Sequence, residues 1–135
     1  MADFTLVNLR EVEDQAPRFG LAPDVEARFA RGALGLTRSG MSYQRLAPGV
    51  RHPFGHRHKE QEEVYVVLGG SARARLGDEE VDLRPFDALR VAPETARGFH
   101  AGPEGVELLV FGAPNTNPPG APSAEDVEPV PDIWG

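Results

Sequence analysis

A chain of 135 residues with a net charge of −7 and no cysteine sets limits before any motif is read. The length fits one domain with a real core. The missing cysteine excludes disulfides, thiolate zinc sites and cysteine nucleophiles, and the acidic balance without a basic patch excludes nucleic acid and anionic membrane as natural partners.

At the amino end, MADFTLVNLREVEDQ has neither a basic start nor a long apolar stretch. No apolar run reaches membrane-spanning length, so a cytoplasmic protein is expected. Phe4 to Leu9 alternates and predicts a first strand. Residues 22 to 32 carry two patterns: Pro23 and Gly32 bracket a helix of about two turns, while Val25, Ala27 and Phe29 alternate as in a strand. The strand is preferred because its neighbours are strands. Met41 to Leu46 predicts a strand, and so does Glu63 to Leu68, with Gly69-Gly70 read as a two-residue hairpin turn. Ser71 to Leu76, then Val81 and Leu83 after the Gly77-Asp78-Glu79 turn, continue the alternation. Ala88 to Val91, Phe99 to Gly102 and Val106 to Phe111 are further short strands. Many short strands between Gly- and Pro-rich turns predict an all-β antiparallel sandwich or barrel.

Residues 1–112 form the body on this reading, and 113–135 a tail. The tail carries six prolines, four acids and no Lys or Arg, so no regular element is expected there. Ile133 and Trp134 break its polar composition. A docked end and a free end both fit that pattern.

The chemistry concentrates in "GHRHKEQEEVYVVLGG", residues 55–70. On a strand, His56 and His58 project from one face. A carboxylate from the next strand completes a set of two nitrogens and one oxygen, suited to non-haem iron, manganese, nickel or zinc. His52 and Glu60 read as surface residues. Ser39, Ser42, Ser71 and Ser123 show no link to a His-Asp pair and read as turn or surface residues. Tyr43, Tyr65, Phe86 and Phe99 read as core, with Tyr65 and Phe99 also able to line a cavity. There is no G-x-S-x-G elbow and no phosphate-cradling glycine loop.

"PGVRHPFGHRHKEQEEVYVVLGG" resembles the first motif of the cupin superfamily, a Gly, His-x-His, a Glu and a later Gly. Glu63 with Gly70 fits the spacing, as does Glu62 with Gly69; Glu63 is preferred because it starts the strand. "VDLRPFDALRVAPETARGFHAGPEGVELLVFGAP" resembles the second motif, with two departures. Phe86 stands where the family has a Gly, and no histidine occupies the metal-ligand slot. That slot falls on Arg97 if Ala92 takes the motif's proline position, and on Gly98 if Pro93 does. His100 points to the opposite face from Arg97.

The resemblance implies a single-domain cupin or jelly-roll β-barrel with a ligand cavity, usually dimeric, and the apolar run Val106 to Phe111 needs cover, so a homodimer is expected. Three readings stand for His56, His58 and Glu63. They hold a divalent metal (iron, manganese, nickel or zinc); or they bind a ligand without metal, Glu63 pairing with Arg97; or they belong to a charged surface loop. The first makes a metal-dependent oxygenase or isomerase acting on a small anionic substrate held by Arg97, Tyr65 and Phe99. The second makes a non-catalytic binding or sensing module.

Overall fold

A computed structural model describes residues 1–115 and 126–135. Eight antiparallel strands form one sheet that curls on itself: β1 (Val25–Phe29), β2 (Gly40–Leu46), β3 (Gly55–His58), β4 (Glu62–Leu76), β5 (Glu79–Leu83), β6 (Ala88–Val91), β7 (Arg97–Ala113) and β8 (Val127–Val130). No helix among the described residues is long and apolar enough to cross a membrane. A single helical turn, Arg31–Leu34, follows β1 and ends at Gly35, whose φ of 69° makes a left-handed stop.

The two long strands organise the molecule. The first half of β4 pairs with β6 and with the second half of β7, which also carries β2 and then β1. The second half of β4 pairs with β5 and with the first half of β7, which carries β3 and then β8. The two halves face each other across the core. Tyr65 from one meets Phe99 from the other, their ring centroids 4.6 Å apart, and both are buried. Burying a large apolar side chain of this kind contributes about 1.5–3 kcal/mol.

A change of parity lets each long strand serve both layers. In β4, Glu63, Tyr65 and Val67 face inward, and then Ala72 and Ala74 do. In β7 the inward set changes from Arg97, Phe99 and Ala101 to Val106, Leu108 and Val110. Register shifts between Val67 and Gly69 and between Gly70 and Ala72 take up the difference. Gly70 has φ 73°, and a Cβ there would lie 2.0 Å from the Gly105 carbonyl oxygen. Gly69-Gly70 is therefore a bulge inside a continuous strand, not the hairpin turn expected. The same glycine signal serves both geometries, and pairing with β7 decides between them.

Three other expectations are corrected. Phe4 to Leu9 is not a strand; Phe4 and Leu6 are 80% and 87% exposed and find no partner strand among the described residues. Phe86 is not core. It is 87% exposed with φ 73° in the turn before β6, which explains why a Gly suits that slot. Ser42 is buried on the inner side of β2, not at the surface.

The segment after Ala113 also contains a strand. β8 pairs with β3 at Gly55↔Val130, His56↔Pro129, Arg57↔Glu128 and His58↔Val127. Its prolines argue against a central strand but not against an edge, and β8 is an edge. Residues 116–125, including Ser123 and part of the acidic tail, lie outside the described residues. Ile133 is buried, and the Trp134 indole N–H donates to the His52 carbonyl at 2.8 Å, so the docked end is the one observed.

Candidate metal centre

His56 and His58 project from β3 and Glu63 from the start of β4, and their ligand atoms all lie within 4.8 Å of one another. The two imidazoles sit edge to face, 5.1 Å between centroids. Glu63 is on the inner face of its layer, and β3 brings the histidines in from the other. Glu62, the alternative acid, is exposed. The His56 side chain is 33% exposed and His58 only 4%, so the cluster opens to solvent on the His56 side.

One oxygen collects the contacts. Glu63 Oε1 accepts from the Tyr65 hydroxyl at 2.5 Å and from Arg97 Nη1 at 3.0 Å. It also lies 3.1 Å from His58 Nε2 and 3.5 Å from His56 Nε2. Burial pushes the Glu63 carboxyl up, but its contacts with His56, His58 and Tyr65 outweigh that and hold it well below the usual carboxylate range. Burial and the Glu63 charge together push the Tyr65 phenol well up, so it stays a neutral donor. Glu63 is thus an anion available to a cation.

Arg97 is fully buried. It lies opposite His56 in the β3–β7 register, and besides Glu63 it donates through Nη2 to the Ala92 carbonyl at 2.7 Å. Of the two possible registers, the first holds: Arg97 occupies the site, whereas Gly98 packs under Trp134. Tyr65 and Phe99 are 2% and 1% exposed. Arg97 and Tyr65 reach Glu63 from the buried side, and Phe99 packs on Tyr65. His100 is exposed on the far face, its Nε2 3.2 Å from the Gly49 carbonyl.

Two residues near the site carry more than their sequence suggested. His52 is not a free surface residue: its Nδ1 accepts the Phe99 backbone N–H at 3.3 Å and its ring meets Phe99 edge-on. Burial, and to a lesser degree His56, lower its pKa to about 4. Asp126 was not singled out at all. Its Oδ2 lies 2.8 Å from His58 Nδ1, across 68 residues of chain, a separation over which no local pattern signals a contact.

The residues fit a metal. With Nδ1 committed to Asp126, a neutral His58 presents the lone pair of Nε2 to the cluster. That Nε2 is buried and has no hydrogen-bond partner, because Glu63 Oε1 is close but off the hydrogen-bond direction. A buried orphan nitrogen beside a carboxylate and a second imidazole is a ligand set for a borderline divalent ion. Burial, the largest influence, works against a proton on His58, as does Arg97. The contacts with Glu63 and Asp126 nonetheless raise its pKa overall, so protons compete with metal there. An open groove of about 340 Å³ along Ser71, Arg73, Asp82 and His100 shares no residue with the cluster.

A family comparison finds that a model described as a cupin domain covers residues 42–112. The chain belongs to the cupin family. Among solved structures, this cupin resembles a cupin protein from Bacteroides fragilis, with TM-score 0.69 and 23% identity over 90% of this chain and 93% of that one. The polyketide cyclase RemF from Streptomyces resistomycificus gives 0.68 and 23% over 86% and 83%. A sugar phosphate isomerase from Silicibacter pomeroyi gives 0.64 and 20% over 82% and 76%. At these identities the likeness shows the cupin fold alone. A search of curated protein sequences found no match.

Proposed function

We propose that this cupin binds a divalent transition metal (iron, manganese, nickel or zinc) through His56, His58 and Glu63, and acts as an oxygenase or isomerase on a small anionic molecule. The observation that carries the reading is the buried, unpartnered Nε2 of His58, 3.1 Å from Glu63 Oε1. Bound there, a metal supplies Lewis acidity or a site for oxygen, with three protein ligands leaving positions open. Glu63 provides the negative charge, and Tyr65 holds its oxygen in place through the 2.5 Å bond. Arg97 is the fixed cation that attracts an anionic substrate, and Tyr65 and Phe99 exclude water from the buried side. Metal analysis of the purified protein and calorimetry with Zn²⁺ or Mn²⁺ test the reading. Micromolar or tighter binding that His58→Ala abolishes supports it; no uptake of any of the four metals sinks it.

A second reading rests on the Arg97–Glu63 contact at 3.0 Å, which compensates the carboxylate without a metal. On it, the site binds a small anion and turns nothing over. A structure of the protein with its ligand would then show the anion on His56 and Arg97.

We also propose a homodimer. Phe4, Leu6, Phe29 and Phe111 are exposed, and the edge strands need cover. Light scattering that returns the monomer mass at micromolar concentration overturns this.

A further inference from the structure

We infer that Asp126 is part of the metal centre as a positioning residue that orients His58. The inference rests on the metal reading above, but it concerns a residue which that reading does not use.

Three observations point the same way. First, Asp126 holds the end of β3 through both carboxylate oxygens and its carbonyl. Its Oδ2 meets His58 Nδ1 at 2.8 Å, its Oδ1 accepts the Glu60 N–H at 2.9 Å, and its carbonyl accepts the Lys59 N–H at 2.9 Å. Secondly, β8 continues from Asp126 antiparallel to β3, so the strand that bears both histidines is paired along its full length. Thirdly, the segment is anchored at its other end. Ile133 lies over Gly55 so closely that a Cβ on that glycine would come within 2.5 Å of Ile133 Cδ1. Trp134 is bonded to the His52 carbonyl and stacked under the Arg51 guanidinium at 5.0 Å.

The chemistry follows from the two nitrogens of an imidazole. A neutral histidine carries one proton, and the carboxylate that accepts it chooses which nitrogen is left to bind metal. Asp126 takes the proton of Nδ1 and leaves Nε2 facing Glu63. Without that carboxylate, His58, only 4% exposed, has a buried N–H with no acceptor, and the tautomer with Nε2 blocked gains population.

The test is Zn²⁺ calorimetry on the full chain carrying Asp126→Ala, Asp126→Asn or Glu128→Gln. Glu128 is on the same strand, with its side chain 42% exposed and 3.7 Å from Arg57. Asp126→Ala should weaken binding roughly 10- to 100-fold. Asp126→Asn should lose less, since its amide oxygen still accepts from Nδ1, and Glu128→Gln should bind as wild type. Wild-type affinity in Asp126→Ala overturns the inference and leaves the metal reading standing. Nitrogen NMR of His58 in the metal-free protein, at about pH 9 where histidine is neutral, is the independent readout. A proton on Nδ1 in wild type that shifts only in part toward Nε2 in Asp126→Asn, whose neutral amide oxygen is the weaker acceptor, supports the positioning role even if Asp126→Ala fails to fold or no metal binds. A proton on Nε2 in wild type overturns it.

Discussion

Replacing Arg97 by histidine should tighten metal binding, by an amount that can be worked from the site. Arg97 Nη1 is 3.0 Å from Glu63 Oε1. A divalent ion on that oxygen would sit about 4 Å from the guanidinium, a repulsion of about 8 kcal/mol at an effective dielectric near 20. The alternative is for Arg97 to withdraw and give up its attraction to Glu63, about 5 kcal/mol on the same scale. The smaller figure bounds the penalty. Protons on His58 that also compete for the site take part of the gain back, so we expect an affinity at least about 100-fold tighter in Arg97→His, or about 2.7 kcal/mol. Calorimetry with Zn²⁺ and Mn²⁺ on both proteins measures it directly. The same change should weaken a carboxylate probe such as benzoate, titrated without metal, because the bidentate partner is gone. Metal affinity in the variant within threefold of wild type, or weaker, would refute the electrostatic reasoning.

Tyr65→Phe removes a hydrogen bond to a charged acceptor and should cost about 1.5 kcal/mol in urea denaturation, the low end for such bonds because Glu63 keeps its other partners; a loss under about 0.5 kcal/mol would mean that the bond contributes nothing. His52 should make stability depend on pH. Its folded pKa of about 4 lies below the ordinary histidine value, so the unfolded chain binds the extra proton first, and the contribution is fully present above about pH 6.5 and lost as pH falls toward 4, with a slope of up to about 1.4 kcal/mol per pH unit. His52→Gln should flatten that slope in denaturation at a series of pH values, and an unchanged slope would acquit His52. Phe86→Gly should stabilise the fold by up to about 1 kcal/mol, since Phe86 holds φ 73° with an exposed side chain; a lower melting temperature would show that the ring makes contacts worth keeping.

The parts of the site that were legible in the sequence are those whose spacing is local. His56 and His58 share a face because a strand repeats every two residues, and Glu63 opens the next inward row. Arg97 could be placed because Asp87 and the turn before β7 fix its register. Asp126 was not legible, since 68 residues of chain separate it from His58. The Gly69-Gly70 pair was misread for a related reason: two glycines announce a change of direction or of phase, and the partner strand, distant in sequence, decides which. The alternation Phe4 to Leu9 was misread because alternation reports a sided segment, not a paired one.

The parity change in β4 works like a frame in a coding sequence. Upstream of Gly69 the odd positions are read inward, and downstream the even ones are. At unchanged length, flattening the bulge at Gly69-Gly70 would carry the upstream frame through the rest of the strand and turn Arg73 and Arg75 into the core, where an unpaired charge costs several kcal/mol. Deleting a residue from the Gly77-Asp78 turn would only shorten a hairpin. A change in the Gly77-Asp78 turn is therefore local, whereas one that removed the phase shift at the two glycines would be felt by every residue downstream of them in β4.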